Sequence, residues 1–108
     1  MVKLTVLYNL GASVPLDQYL AWRTSEHERD NAQAPGVLRT DFYVARDVPG
    51  HPPRYRFITE SYYPDMATLE RSFLRPEVQE RTRQQVRDWQ LEDFEVIISE
   101  LRSATDNT

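Results

Sequence analysis

The sequence has no cysteine and only three glycines among its 108 residues. Without cysteine, these residues can form no disulfide framework, no thiolate nucleophile and no cysteine-ligated zinc or iron–sulfur site. With so few glycines, they contain no glycine-rich loop of the kind that cradles a phosphate group. The lack of cysteine fits a reducing compartment, and we therefore expect a cytoplasmic protein.

Long apolar runs and blocks of positive charge are missing as well. No segment approaches the ~18 consecutive apolar residues of a membrane-spanning helix, and the sequence enters a strand pattern at once, without a charged and then apolar leader. The formal net charge is −4, and the arginines are interspersed with Asp and Glu instead of forming a basic patch. We therefore expect no nucleic-acid partner and no membrane partner, whereas small neutral or anionic ligands stay open.

What is present is the composition of a globular protein, with 40% hydrophobic and 28% charged residues. A chain of this length has room for one hydrophobic core. We predict a single domain over residues 1–102, followed by a polar, frayed tail at residues 103–108.

Hydrophobic periodicity predicts four strands and two helical regions. Strands are predicted at residues 2–10, 37–45, 54–63 and 94–101. Helices are predicted at residues 16–31 and 66–89, the second with an interruption at Pro76. Proline suits the first turn of a helix, so a second helical piece is expected to begin there.

The order β-α-β-β-α-β predicts an α+β, ferredoxin-like fold, in which a four-stranded antiparallel sheet carries both helical regions on one face. We expect the first and third strands at the centre, running parallel to each other, and the second and fourth at the edges. Apolar side chains occur on both faces of several strands, so an uncovered face would expose an apolar patch. We therefore predict a homodimer formed through that sheet face.

One histidine falls on the buried side of the first predicted helix. At about 100° per residue, the stripe on this side consists of Leu16, Tyr19, Leu20, Arg23 and His27. A polar ring there needs a hydrogen-bond partner or a chemical use. An imidazole can take a proton and return it near neutral pH, so His27 is the first candidate for a general acid or base. The alternative is a structural histidine that ties the helix to a carbonyl group or to Glu60. Trp22 lies about 140° from the stripe, and we expect it at an edge or a subunit contact rather than at the mouth of a pocket.

Three short motifs follow one another along the chain. The first strand reads LTVLYNL, His27 lies eight residues before Pro35-Gly36, and the third strand ends in Glu60-Ser61-Tyr62-Tyr63. In this order and spacing, the motifs resemble those of the dimeric α+β barrel proteins, and within them the EthD and methylmuconolactone-isomerase-like group, over residues 2–101. The resemblance implies the fold more strongly than the reaction, because such proteins include isomerases, cyclases, cofactor-free monooxygenases and members of unassigned activity.

Together with this resemblance, the residues predict a catalytic set and a substrate-binding set. The catalytic candidates are His27, Tyr8 and Glu60, and the substrate-binding candidates are Arg23, Tyr43, Tyr62 and His51. Tyrosine hydroxyls can donate to a carbonyl or enolate oxygen, and a guanidinium can bind a carboxylate. Each residue also has a structural alternative: the tyrosines as core aromatics, Arg23 as a side chain directed to solvent, and His51 as an exposed part of the proline-rich hairpin loop.

Glu60 lies in a predicted central strand, where an unpaired carboxylate is costly to bury. It must pair with a base such as Arg56, His27 or Arg23, or face a wet cavity. We expect Glu60 and Tyr8 on adjacent strands beneath the first helix, within reach of His27.

The predicted function is a cofactor-independent isomerase, cyclase or lyase of aromatic or secondary metabolism, acting by proton transfer on an aromatic, lactone or polyketide-type metabolite. A cofactor-free monooxygenase of aromatic polyketides and a non-catalytic metabolite-binding dimer are the alternatives. No cofactor is predicted. No metal site is predicted either, because the two histidines lack the spacing of metal ligands such as HxH or HExxH.

Overall fold

A computed structural model describes residues 1–107 of the chain. The strands are β1 (Val2–Leu10), β2 (Arg39–Val44), β3 (Phe57–Tyr63) and β4 (Leu91–Glu100). The helices are α1 (Leu16–Trp22), α2 (Glu28–Ala32), α3 (Met66–Phe73) and α4 (Pro76–Asp88), and a π-helical segment, Arg23–His27, joins α1 to α2. The predicted order of strands and helical regions is confirmed.

The four strands form one antiparallel sheet in the order β2-β3-β1-β4, which confirms the ferredoxin-like α+β fold with β1 and β3 at the centre. The expectation that β1 and β3 run parallel is wrong, because their register pairs Val2 with Tyr63 and Tyr8 with Phe57. The hairpin between β2 and β3 explains this. The strand β2 has the direction of β1, and the hairpin then reverses the chain before β3.

The strand β1 has its predicted bounds, whereas the other three strands differ at their ends. Both β2 and β3 are shorter than predicted, and in the loop between them His51 makes an isolated bridge with Val48. The strand β4 begins at Leu91, ahead of its predicted start. Its register with β1 shifts between Leu7 and Asn9, and this irregularity interrupts the period of two that marks a strand.

The hydrophobic core lies between the helices and one side of the sheet, which we call the core face. One cluster of buried side chains contains Val2, Leu4, Tyr63 and Leu69, and a second contains Tyr8, Tyr19 and Phe57. Along β3, buried residues alternate with half-buried ones from Phe57 to Tyr63. The period of two therefore assigns every residue of this central strand to one face or the other.

Two local signals define the second helical region. Asp65 caps α3, because its carboxylate accepts a hydrogen bond of 2.8 Å from the backbone N–H of Thr68. Pro76 is the first residue of α4, where a missing N–H removes no helical hydrogen bond. Leu69, on the predicted buried side of α3, is fully buried. The interruption of the helix at Pro76 is confirmed.

The opposite side of the sheet, which we call the open face, carries apolar and aromatic side chains as well. They include Leu7, Tyr43, Ile58, Tyr62 and Ile97. Of these, Tyr43 and Ile97 are 48% and 41% exposed. The homodimer through this face stays a prediction.

No helix within the described residues is long and apolar enough to cross a membrane. The cytoplasmic location and the domain boundaries stay predictions. Residues 101–107 form no helix or strand, and Thr108, the end of the predicted tail, lies outside the described residues.

Candidate functional site

A cavity of about 390 Å³ opens between the helices and the core face of the sheet. The strands β1 and β3 form its floor, and the π-helical segment, α2 and α4 form its walls. Aromatic and polar side chains line it together, among them Tyr8, Tyr19, Trp22, His27, Thr59 and Gln85. Its volume lies in the range of small-molecule sites.

The π-helical segment brings the rings of Trp22 and His27 together. In a π-helix, hydrogen bonds join residues five apart, so residues i and i+5 lie on one side. The two rings stack with their centroids 4.6 Å apart and an interplanar angle of 24°. The prediction that Trp22 lies at an edge or a subunit contact assumed an uninterrupted α-helical period. The structure shows this prediction to be wrong, since Trp22 lines the cavity.

The π-helical segment contains two residues whose side-chain hydroxyl groups bind backbone carbonyls of the preceding turn. Thr24 Oγ1 donates to the carbonyl of Leu20 at 2.7 Å, and Ser25 Oγ donates to the carbonyl of Ala21 at 2.5 Å. Hydrogen bonds of this kind compete with the backbone donors of the helix and often accompany its distortion. The pair Thr24-Ser25 therefore favours a departure from α-helical geometry in this part of the chain.

His27 is a neutral imidazole at neutral pH. Burial lowers the pKa of His27 from its ordinary value of 6.5 to about 4, the charges of Arg23 and Arg81 act in the same direction, and Asp30 partly opposes them. Gln85 Nε2 lies 3.4 Å from His27 Nδ1. An unprotonated ring beside a cavity can accept a proton. The protein disfavours the resulting imidazolium, which therefore releases the proton readily.

Three aromatic rings pack against one another next to the histidine. The ring centroids of Trp22 and Trp89 are 5.2 Å apart, those of Tyr19 and Trp89 are 5.3 Å apart, and those of Tyr19 and Trp22 are 5.8 Å apart. We call Tyr19 and Trp22 the aromatic wall, because both line the cavity, whereas Trp89 packs against them without lining it. Such rings offer large apolar surfaces and can stack with a flat ligand.

The hydroxyl groups of Tyr8 and Tyr19 are hydrogen-bonded to each other at the floor of the cavity. Burial raises the pKa of Tyr8, while the hydrogen bond to Tyr19 and the charge of Arg23 act in the opposite direction without cancelling the rise. Burial also raises the pKa of Tyr19. Both phenols therefore keep their protons. Since one hydroxyl donates to the other, one phenolic proton of the pair is left for a further acceptor.

Arg23 is fully enclosed, with 1% of its surface exposed. Its Nη2 donates to Thr59 Oγ1 at 3.0 Å, its Nη1 lies 2.8 Å from Glu28 Oε2, and its guanidinium carbon lies 4.2 Å from the ring centroid of Phe42. The alternative of a side chain directed to solvent is wrong. Arg23 does not line the cavity either, but its hydrogen bond supports Thr59, which does. The predicted contact of Arg23 with substrate stays untested.

Glu60 lies on the open face, across the sheet from His27. Thr59 faces the cavity, so the next residue of the strand must point the other way. The carboxylate of Glu60 lies 3.0 Å from Lys3 Nζ and accepts a hydrogen bond of 3.1 Å from the hydroxyl of Tyr62. The expectation that Glu60 lies beneath the first helix with His27 is therefore wrong, and Lys3 is the base that neutralises it.

The other substrate-binding candidates also lie away from the cavity. Tyr43 and Tyr62 are on the open face with Glu60, and His51 is exposed in the loop between β2 and β3. Of the predicted site residues, the structure brings together His27 and Tyr8 and places Arg23 next to them.

Several cavity residues were not anticipated as site residues. Tyr19 was predicted only as part of the buried stripe, Gln85 had no distinguishing pattern, and Arg81 fell among the mixed charges that predict a solvated face of the last helical piece. Thr59 and Ser61 did leave a signal, because they are polar residues on the same face as Phe57 and Tyr63. Hydroxyl groups on a buried face need partners, and here they lie at the floor of the cavity.

Two cations and one carboxylate border the cavity. Arg75 and Arg81 come from the region of α4, and Asp30 comes from α2. Among residues 1–107, no three His, Cys, Asp or Glu side chains come together in a way that could hold a metal ion.

Solved structures with the same fold exist, although their sequences differ widely from this one. An EthD family protein from Bacillus halodurans is 18% identical, the match covers 94% of this chain and 99% of that chain, and the TM-score is 0.75. A hydroxynitrile lyase from Passiflora edulis is 13% identical, with 97% and 96% covered and a TM-score of 0.73. SnoaB, a cofactor-independent oxygenase from Streptomyces nogalater, is 14% identical, with 95% and 94% covered and a TM-score of 0.67.

These similarities confirm the ferredoxin-like fold that the sequence motifs imply, and an EthD family protein is among the structures that share it. No protein-family model matches the sequence, and no curated protein matches it. Because one fold serves many reactions, the structural similarity alone does not assign one.

Proposed function

We propose that the protein is a cofactor-independent enzyme that moves a proton on a small cyclic or aromatic metabolite, as an isomerase, cyclase or lyase. One observation carries this proposal: a neutral imidazole, His27, and a hydrogen-bonded phenol pair, Tyr8 and Tyr19, line the same cavity. A proton acceptor and an oxygen-binding donor on one cavity are the two groups that enolisation, lactone isomerisation or aldol-type cyclisation requires.

The roles follow from the protonation states. His27 takes a proton from carbon or oxygen of the substrate, and the electron pair of the broken bond stays on the substrate. The oxygen that gains negative charge accepts a hydrogen bond from the Tyr8–Tyr19 pair. The imidazolium then returns the proton to a second atom, or to a leaving group. Arg23 acts from behind the floor, where its positive charge favours negative charge on the phenol pair and on an oxygen bound to it.

The cavity also indicates the kind of substrate. A volume of about 390 Å³ suits a molecule of one or two rings, and the aromatic wall suits a flat one. Aromatic, lactone and polyketide-type metabolites have this shape, and so aromatic or secondary metabolism is the proposed setting. The lyase and the oxygenase of the same fold support a small-molecule enzyme without specifying the reaction.

The experiment has two steps. Ligand-detected screening against muconolactones, aromatic polyketides and related cyclic acids would first identify a compound that is bound and converted. Turnover is then measured for His27→Phe, which keeps a ring against Trp22 but removes the base. We expect turnover to fall by about 10²–10⁴-fold, as is usual for loss of a general acid–base group. His51→Phe, at the exposed histidine, is the matched control. Unchanged turnover in His27→Phe, at an unchanged melting temperature, would refute the catalytic role.

A cofactor-free monooxygenase is the second candidate, and the aromatic wall is the observation that favours it. Such an enzyme needs an aromatic substrate that itself activates oxygen, and Tyr19 and Trp22 offer ring surfaces in the cavity against which it can stack. Oxygen consumption and the mass of the product distinguish the two reactions. Binding without conversion of any bound compound would instead identify a metabolite-binding protein.

We also propose that two copies associate through the open face. Its exposed Tyr43 and Ile97, together with the half-buried Leu7, Ile58 and Tyr62, form a mixed apolar surface. A second copy would cover it without disturbing the cavity, which lies on the opposite side of the sheet.

A further inference from the structure

The arginines of α4 differ in how they are neutralised. Arg83 Nη2 lies 2.8 Å from Glu80, and Arg87 Nη2 lies 3.8 Å from the same residue, on the outer side of the helix. Arg81 forms no ion pair with any residue in the described part of the chain, although it borders the cavity. A cation at the edge of a cavity, without a carboxylate partner, is available to a ligand.

A second arginine, Arg75, also lies at this edge, but it has a carboxylate partner of its own. Arg75 Nε donates to the carbonyl of Ser72 at 3.0 Å, which holds the side chain in place, and its Nη1 is 3.4 Å from Glu77. Only Asp30 contributes negative charge to the lining. With His27 neutral and Arg75 paired with Glu77, Arg81 is the cation of the described lining that has no carboxylate partner.

We propose that the cavity selects an organic anion, whose carboxylate or similar group binds Arg81 while its ring lies against Trp22 and His27. This inference rests on the proposed function and specifies the class of its substrate. The field of Arg81 already acts on His27, so an anion bound to Arg81 lies close enough to influence the imidazole. A guanidinium can hold a carboxylate by two parallel hydrogen bonds and so fix the orientation of the ring.

Binding of an anion is therefore coupled to the protonation of His27. The charged groups that act on the imidazole are Arg23 and Asp30 from its own helical region and Arg81 from α4. A bound anion offsets the two positive charges and stabilises the imidazolium form. By reciprocity, protonation of His27 strengthens anion binding, so the affinity rises as the pH falls toward the pKa of His27, which is about 4 in the free protein. A neutral ligand of the same shape does not show this coupling.

Intrinsic fluorescence can follow binding directly, because Trp22, one of the two tryptophans of the sequence, lines the cavity. The probe is benzoate, and the neutral comparison is benzamide, titrated into the full chain. We expect Arg81→Gln to weaken benzoate binding by about tenfold and to leave benzamide binding unchanged. Arg83→Gln, at the paired arginine on the outer side of α4, is the matched control and should change neither.

The pH arm repeats the titration between about pH 4 and pH 7 with benzenesulfonate, because a sulfonate stays ionised over this range whereas a carboxylate is partly protonated near pH 4. The dissociation constant of benzenesulfonate should fall several-fold as the pH approaches 4, and His27→Phe should abolish this dependence. No binding of benzoate to the unmodified protein, or equal affinity in Arg81→Gln, would overturn the inference. The proposed function can still hold if the inference fails. Binding of benzamide, together with turnover of a neutral compound that depends on His27, would support the proposed function without an anionic substrate.

Discussion

Thr59 and Glu60 are neighbours in β3, but they lie in opposite environments. Thr59 is 8% exposed on the core face, accepts a hydrogen bond from Arg23 and lines the cavity. Glu60 is half-buried on the open face and pairs with Lys3. A polar group on the core face must find its partners inside the protein, whereas one on the open face of a single chain also has water available.

The two environments also shift the pKa values of their ionisable groups in ways that have different consequences. On the open face, the hydrogen bond to Glu60 raises the pKa of Lys3, which reinforces the charge that the ammonium group already has at neutral pH. On the core face, burial lowers the pKa of His27 to about 4 and so changes its protonation state at mildly acid pH. The perturbed group that can exchange a proton therefore lies in the cavity.

Removal of Arg23 should have the largest effect on stability. Arg23→Ala leaves Glu28 without its ion pair, Thr59 without its donor and a space beside Phe42. Loss of one partner of a buried charged cluster typically costs about 3–5 kcal/mol, and urea denaturation would measure it. Glu28 retains some access to water, so we expect the lower half of that range.

The control for this measurement is Arg29→Ala, because Arg29 is an exposed arginine of the adjoining α2. Its loss should change the free energy of unfolding by no more than about 0.5 kcal/mol. If Arg23→Ala were as mild as Arg29→Ala, the guanidinium would not hold the core face together.

The next effect is a pH dependence of stability that belongs to His27. Its pKa is about 4 in the folded protein, compared with an ordinary value of 6.5. As the pH falls from 6.5 toward 4, the unfolded chain gains a proton that the folded chain does not, so the stability contributed at higher pH is lost. The loss amounts to about 1.4 kcal/mol per pH unit and about 3 kcal/mol in total.

Urea denaturation over this pH range would test the assignment to one residue. His27→Phe should reduce the slope of stability against pH, while His51→Phe, at the exposed histidine, should leave it unchanged. Carboxylates with lowered pKa values, such as Asp65, also stabilise the folded protein, and they lose this stabilisation at still lower pH. This loss occurs equally in the unmodified protein and in both variants. Equal slopes in the two variants would mean that His27 is not neutralised by burial.

A substitution on the open face should act on association and not on the cavity. Ile97 is 41% exposed, so Ile97→Lys is tolerated by a single chain but places a charge in the proposed contact between two copies. We expect the dissociation constant of the dimer, measured by sedimentation equilibrium, to rise by at least about tenfold. Leu74→Lys, at an exposed leucine between α3 and α4, is the control. A monomer before any substitution would contradict the proposed association.

The fold could be predicted from the sequence because its signals are local and repeated. Period two marked the strands, and Asp65 and Pro76 marked the starts of α3 and α4. The direction of β3 relative to β1 was wrong because strand direction depends on counting chain reversals, which periodicity does not report. The predicted start of β4 was three residues too late, because a register shift interrupts the alternation of side chains near the true start at Leu91.

The candidate site could be predicted only in part. His27 and Tyr8 were found because a polar ring on a buried stripe and a tyrosine on a buried strand face are visible in the pattern. Trp22 was misplaced because a π-helical turn changes the period over a few residues. Glu60 was predicted to lie beneath the helix, on the same face as the cavity. Neighbouring residues of a strand point to opposite faces, however, and Thr59 was on the core face. The period of two alone would therefore have placed Glu60 on the open face.

The smallest effect is expected at Glu60, the residue that most directly compares the two faces. Glu60→Gln removes its ion pair with Lys3 but keeps an acceptor for the hydroxyl of Tyr62. Because partly exposed pairs contribute little, we expect a loss of at most about 1 kcal/mol, reduced further by salt, and unchanged ligand binding in the cavity. Thr59→Val, its neighbour on the core face, should alter ligand binding because it removes the acceptor of Arg23. A large loss of turnover in Glu60→Gln, at unchanged stability, would instead support the catalytic role predicted from the sequence and require the open face to take part in the reaction.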